Sequence, residues 1–338
     1  MANSANDMRW SGTPGHYEVY YVTLTDPRTG VGVWIRYTMV APLPSAGLPA
    51  TCSLWFLAMD PRPGAQPTFA RKKSFPVAQM EASREPFELR VPGATLSDGV
   101  MAGGFEDVAW DLLWTPAERP YQPVHPLLGK LGVARTVLLL PHADVAIDGT
   151  LKIGAEELRV TEVRGGQAHL WGTKHASSWA WAHCNDLASP SGEPVPGAFF
   201  DAVSALVPRF GRTLGPNTPV VGSFGAEAFR STSPHRILSN PSRFDVDGWR
   251  FEAVDGSRKL VAEVRPVREQ TAGVTYHDPD GEKAYCYNSE TASVRLEIHE
   301  RAGRRGPWRE TESMHSQGRC HFEFGTRTPV PGIELLTS

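Results

Sequence analysis

The sequence predicts an all-β protein of two domains, and three observations carry that expectation. The 32 glycines and 29 prolines are scattered over all 338 residues. They leave windows of about five to ten residues between breakers, which suit strands and give little room to helices. A chain of this length exceeds the size at which one core stops growing, so two units are the default. A short motif also recurs about half a chain apart: GQAHLWGTK at 166–174 is echoed by GRCHFEFGTR at 318–327, with one extra residue between the histidine and the second glycine.

The elements follow in order. Residues 16–25 and 31–41 flank Asp26-Pro27-Arg28-Thr29-Gly30, where proline presets an early turn position and glycine supplies positive φ, so this pair reads as a hairpin. Further strand windows are 51–59, 87–91, 107–114, 134–140, 158–163, 168–171 and 178–184. The Pro/Gly/Ser-rich segment 189–197 divides an N-terminal domain, 1–188, from a C-terminal one, 189–338; the other reading makes it a long hairpin loop. Later windows are 198–206, 219–225, 249–254, 259–264, 274–277, 284–288, 293–300, 311–315 and 320–324. That is enough strands to close a barrel or fold a sandwich in each half.

Composition excludes several functions. A hydrophobic content of 41% with 21% charged residues describes an ordinary soluble globular chain, and a net charge of −3 gives no reason to expect nucleic acid or an acidic membrane as partner. The opening MANSANDMRWSG lacks a basic segment followed by an apolar run. No window approaches ~18 uninterrupted apolar residues, so no integral membrane segment is expected and a soluble, cytoplasmic protein is. Cys52, Cys184, Cys286 and Cys320 are far apart without a CxxC pair, which points to free thiols. No GxGxxG or GxxxxGK[ST] is present, and Val221-Gly222-Ser223-Phe224-Gly225 does not spell GxSxG, so no cofactor and no serine hydrolase are expected.

The segment 165–186, GGQAHLWGTKHASSWAWAHCND, concentrates histidines, tryptophans, an asparagine and an aspartate. Polar tips among large flat apolar groups suit a pocket for a mostly hydrophobic ligand. If 178–185 is extended, Trp179, Trp181, His183 and Asn185 share one face, and Ser178, Ala180, Ala182 and Cys184 the other. The aromatic face forms either a cavity wall with His183 and Asn185 as its polar floor, or the filling of a barrel. His169, His175 and His183 include no HxH or HExxH pair, so no metal is expected. In Trp110-Asp111-Leu112-Leu113-Trp114 the aspartate opposes the apolar face. Asp111 is either a general acid raised in pKa by an apolar cavity or an outward, solvated carboxylate.

The spacing of His169, Trp171-Gly172 and Trp179-Ala180-Trp181-Ala182-His183-Cys184-Asn185, with 17–37 and Trp110-Asp111-Leu112 upstream, resembles the carotenoid 1,2-hydratase (hydroxyneurosporene synthase), tocopherol cyclase and AttH-like family. The resemblance implies two tandem lipocalin-like (calycin) β-barrels around a hydrophobic ligand cavity. It covers about residues 15–190, and His169 and Lys174 stand where that family carries an acidic residue. The function it implies is cofactor-independent acid–base chemistry on an isoprenoid, polyene or lipid-like substrate: hydration, cyclisation or isomerisation. Asp111, His183 and His169 are the candidate proton carriers, and Trp110, Trp171, Trp179, Trp181 and Asn185 the candidate substrate contacts. A carrier or sensor of such a ligand is the alternative, needing the aromatic wall but no proton donor. A third reading is a structural interaction protein with no cavity.

Overall fold

A computed structural model describes residues 4–124, 135–209, 212–225, 227–303 and 305–337, and the chain is all-β as expected. The first sheet takes β1 (His16–Thr25), β2 (Gly32–Ala41), β3 (Thr51–Met59), β4 (Thr68–Pro76), β5 (Glu81–Arg84), β6 (Phe87–Val91), β7 (Ala94–Ser97), β8 (Val100–Phe105), β9 (Val108–Trp114), β10 (Thr136–Ile153) and β11 (Glu156–Gly172). The second takes β12 (Ser178–Cys184), β13 (Phe199–Arg209), β14 (Arg212–Asn217), β15 (Val220–Phe224), β16 (Glu227–Ser231), β17 (Ser242–Asp245), β18 (Gly248–Asp255), β19 (Arg258–Arg265), β20 (Ala272–His277), β21 (Lys283–Glu300), β22 (Arg309–Thr326) and β23 (Leu335–Thr337). Among the described residues, no helix is long and apolar enough to cross a membrane.

The sheets repeat one topology. Their orders are β4-β3-β2-β1-β11-β10-β9-β8-β7-β6-β5 and β16-β15-β13-β12-β22-β21-β19-β18-β17, so β1, β10 and β11 correspond to β12, β21 and β22. The repeated motif falls on the corresponding strands β11 and β22. Its extra residue changes the outcome: Gly172 lies opposite Tyr17 and Gly325 opposite Trp179, whereas His169 lies opposite Tyr20 and His321 opposite His183. A one-residue shift moves a side chain to the other face. His169 therefore packs on Tyr20, of the first sheet's core, while His321 stands with His183 between the sheets.

Three expected boundaries change. The windows 158–163 and 168–171 are one strand, β11, as are 284–288 with 293–300 (β21) and 311–315 with 320–324 (β22). Gly165 and Gly166, between the two windows, lie inside β11, where a Cβ would stand 2.8 Å from Thr23 O at the first and 2.8 Å from His183 Nε2 at the second. The chain changes sheets between Gly172 and Ser178, so β12 pairs in the second sheet with β13 and β22. Residue 134, the start of one expected window, lies outside the described residues.

Three apolar layers result. One fills the curl of the first sheet (Tyr20, Tyr37, Phe56, Trp110) and one that of the second (Ala180, Ala182, Phe200, Phe251). The third joins the sheets and contains Tyr17, Tyr21, Trp34, Trp55, Trp179, Trp181 and Tyr276. The two faces of β12 separate as their periodicity requires: the small residues enter the second curl and the tryptophans enter the seam. A buried tryptophan withdraws roughly 200 Å² from water, worth on the order of 5 kcal/mol at about 25 cal/mol per Å². That is enough to offset the cost of carrying polar groups into the same layer.

The N-terminal segment closes one end of the first curl through Glu18. This fully buried carboxylate accepts hydrogen bonds from Arg9 N (2.7 Å), Trp10 N (2.8 Å), Tyr20 Oη (3.0 Å) and His169 Nε2 (2.8 Å). Burial alone would raise its pKa, but the bonds from His16 and His169 win and hold it at about 2. His142, also buried, accepts from Ala117 N at 3.0 Å, and desolvation lowers its pKa to about 4.

Both groups bind their proton less readily folded than unfolded, so both contribute stability that falls as pH falls. Thermal unfolding followed by circular dichroism is expected to show a loss from about pH 6.5 to about 4 through His142, and a further loss from about 4.5 to about 2 through Glu18. Glu18→Gln is expected to cost about 2–3 kcal/mol at neutral pH and to abolish the lower window while leaving the upper one.

Candidate functional site

The seam sets several buried polar groups on apolar walls. Its centre is set by register: His183 of β12 lies directly opposite Asp201 of β13 and His321 of β22. Asp201 is 0% exposed; its Oδ2 accepts from Trp181 Nε1 at 3.0 Å and lies 3.3 Å from His183 Nδ1, while its Oδ1 has no partner. Burial raises the Asp201 pKa, only partly offset by His183 and Trp181. His183 is 2% exposed, and neither ring nitrogen has a well-directed hydrogen bond. Its ring runs parallel to Trp181 at 6.2 Å and rests on Gly166, where a Cβ would stand 2.8 Å from Nε2.

Beside this pair is a cavity of about 10 Å³ lined by Tyr21, Thr23, Gln167, Trp181, His183 and Asp201. That size admits about one water molecule, and the lining offers it polar partners. Asn185 ties the sheets together below it, donating from Nδ2 to Gly165 O at 2.6 Å. His321 is bonded through Nδ1 to buried Glu290 at 2.6 Å. Farther along the seam an aromatic group surrounds His175, which stacks on Tyr17 (4.5 Å), Trp179 (5.3 Å) and Tyr276 (5.4 Å) and is fixed by Asp278 at 2.6 Å from its Nδ1. Trp179 Nε1 donates to Glu323 at 2.5 Å.

The residues singled out from sequence separate into distinct places. Trp179, Trp181, His183 and Asn185 come together in the seam. His169 does not: its Nδ1 faces Ala5 O at 2.6 Å and its Nε2 faces Glu18, so the ring anchors the N-terminal segment. Trp171 packs against His169 beneath the Arg9 guanidinium. Trp110 belongs to the first curl, stacked on Phe56 and donating to Tyr37 Oη at 2.8 Å. Asp111 is exposed, the outward alternative: β9 is covered on one face only, and its burial alternates residue by residue. Separate from the seam, Glu297, His299 and Glu310 bring donor atoms within 4.8 Å of one another, but Arg295 already pairs with Glu297 at 3.0 Å.

Sequence reasoning missed Asp201, Tyr21 and Glu18. The signal was available for the two acids, since each interrupts an otherwise apolar strand, FFDAV and HYEVYY. A carboxylate inside such a run is either paired or functional.

With this geometry in hand, comparison with solved structures defines the class: a lipocalin-like fold of two curled sheets, shared with CghA (TM-score 0.59, 10% identity, 97% of this chain and 93% of that one), kievitone hydratase of Nectria haematococca (0.53, 9%, 96% and 92%) and an AttH protein of Nitrosomonas europaea (0.53, 13%, 93% and 93%). No family model matches the chain. It is 30% identical over 334 residues, 96% of its own length and 91% of theirs, to proteins described as uncharacterized in two strains of Mycobacterium tuberculosis, H37Rv and CDC 1551. The chain belongs to the family of those mycobacterial proteins.

The contact of His183 with Gly166 is testable. Gly166→Ala pushes a methyl into the imidazole and is expected to cost about 1–3 kcal/mol and to change tryptophan emission as His183 and Trp181 shift. Gly192→Ala, at a position with open space around it but positive φ, is the comparison for backbone strain alone.

Proposed function

We propose that the seam, which in its closed form leaves room for about one water, opens to bind an apolar small molecule of the isoprenoid, polyene or lipid-like kind, and that His183 and Asp201 move a proton on it in a hydration, cyclisation or isomerisation. The observation that carries this reading is a buried imidazole without a well-directed hydrogen bond at either nitrogen, 3.3 Å from a buried carboxylate, beside a one-water cavity under Trp181. Buried polar atoms are nearly always paired, and those that are not concentrate where chemistry or a ligand completes them.

Asp201 orients His183 through Nδ1, leaving Nε2 as the atom that exchanges a proton. Trp181, held by Asp201, and Tyr21, edge-on to it at 5.6 Å, offer π faces to a developing cation. Hydration suits the cavity best: a proton reaches an alkene carbon, the cation forms against the aromatic wall, water adds to it, and His183 recovers the proton. The name of kievitone hydratase, on the same fold, supports the same class of reaction. We also propose that each curled sheet is one lipocalin-like unit, with the site made jointly by both.

The experiment is native mass spectrometry with identification of any co-purifying apolar molecule, followed by turnover assays on it. His183→Gln and Asp201→Asn are each expected to lower turnover by at least about 100-fold, with Asp111→Asn unchanged. Because Asp201 is a carboxylate that burial disfavours, Asp201→Asn is expected to keep or raise Tm. Binding with no turnover in any variant would leave a carrier or sensor.

A further inference from the structure

Arg36 lies in the middle of β2 and is only 5% exposed. Its guanidinium stands 4.3 Å from the ring centre of Tyr276, 5.2 Å from that of Trp34 and 6.0 Å from that of Trp55. Among the described residues it forms no ion pair, and its Nε has no acceptor. Ring faces lower the cost of burying the cation, but they leave its Nε–H unmet. A buried charge without a counter-charge is among the costliest groups a fold can hold.

The neighbouring orphan groups have matching polarity. The Tyr276 hydroxyl is buried beside the Cys286 thiol without a well-directed hydrogen bond, and Asn288 Nδ2 is buried without a partner. Asn288 joins this line through Cys286, whose Sγ lies 3.8 Å from Asn288 Oδ1. Arg36 and Asn288 offer donors and Tyr276 can offer one, so what is missing is an acceptor. Lys72 Nζ stands 4.4 Å from the centre of Trp55, and burial together with Arg36 lowers its pKa. Glu323, whose charge also reaches Tyr276, is engaged by Trp179 Nε1 and makes no ion pair with Arg36.

We propose that Arg36 holds the carboxylate of an amphipathic ligand whose apolar body lies against the seam aromatics. This deepens the seam-binding reading and rests on it. A carboxylate fits better than a bulkier anion because the ring contacts leave a planar edge, which two parallel N–H bonds match. The anion then meets the Arg36 Nε–H, which has no acceptor otherwise.

The probes are farnesoic acid, methyl farnesoate and farnesol, titrated against tryptophan fluorescence of the full chain. Wild type is expected to bind the acid at least about tenfold more tightly than the ester or alcohol. Arg36→Gln is expected to lose that preference while keeping its ester affinity within about twofold. Equal affinities in wild type, or a preference retained in Arg36→Gln, overturn the proposal. To guard against a misfolded variant, arginine-labelled wild type is followed by NMR, with the Arg36 Nε–H resonance identified by its absence in Arg36→Lys. A shift with the acid and none with the ester is expected; no shift with the acid overturns the assignment. Acid preference without His183-dependent turnover would sink the proton-transfer reading alone, turnover without acid preference would sink the Arg36 assignment alone, and binding of none of the three probes would overturn both.

Discussion

Two-sided burial of the central strands governs the rest of this molecule. β1, β2, β3 and β12 are covered on one face by the curl of their own sheet and on the other by the opposite sheet, so nearly every residue in them is buried. A strand in that position cannot send its polar side chains to water. Each one must find a partner or stay unmet, as His183 and Arg36 Nε do, and Asp201 Oδ1, Tyr276 Oη and Asn288 Nδ2 on adjoining strands are also among the unmet buried atoms.

The same constraint sorts paired groups from unpaired ones. Glu18 and His169 are as buried as Asp201 and His183, but five donors or acceptors from the N-terminal segment and β1 complete them, and the result is an anchor. In the seam the surrounding groups are tryptophan and tyrosine faces, which pack closely yet offer few acceptors. Apolar walls, a dyad with spare valence and a buried cation that forms no ion pair among the described residues therefore arise together, from aromatic residues facing one another across two curled sheets.

Much of this was legible in the chain. Breaker spacing gave the all-β class, and strand periodicity grouped Trp179, Trp181 and His183 on one face, as the structure has them. The doubled topology was foreshadowed by the repeat. Asp111 shows the limit: alternation placed it opposite Trp110 and Trp114 but could not say whether a second layer covers that side. None does over β9, whereas one does over β2, where Arg36 occupies a comparable polar position.

Local sequence thus determined secondary structure, side-chain parity and the identity of the aromatic surface, because these follow from backbone geometry and the period of a strand. Tertiary structure decided what each face meets. The single extra residue in the second motif copy turns His321 into the seam while His169 points into the first curl, and the pairing of β12 with the second sheet brings Asp201 to His183. Those outcomes depend on register and on the approach of two sheets distant in sequence, and an interaction between distant segments leaves no periodic trace in either of them.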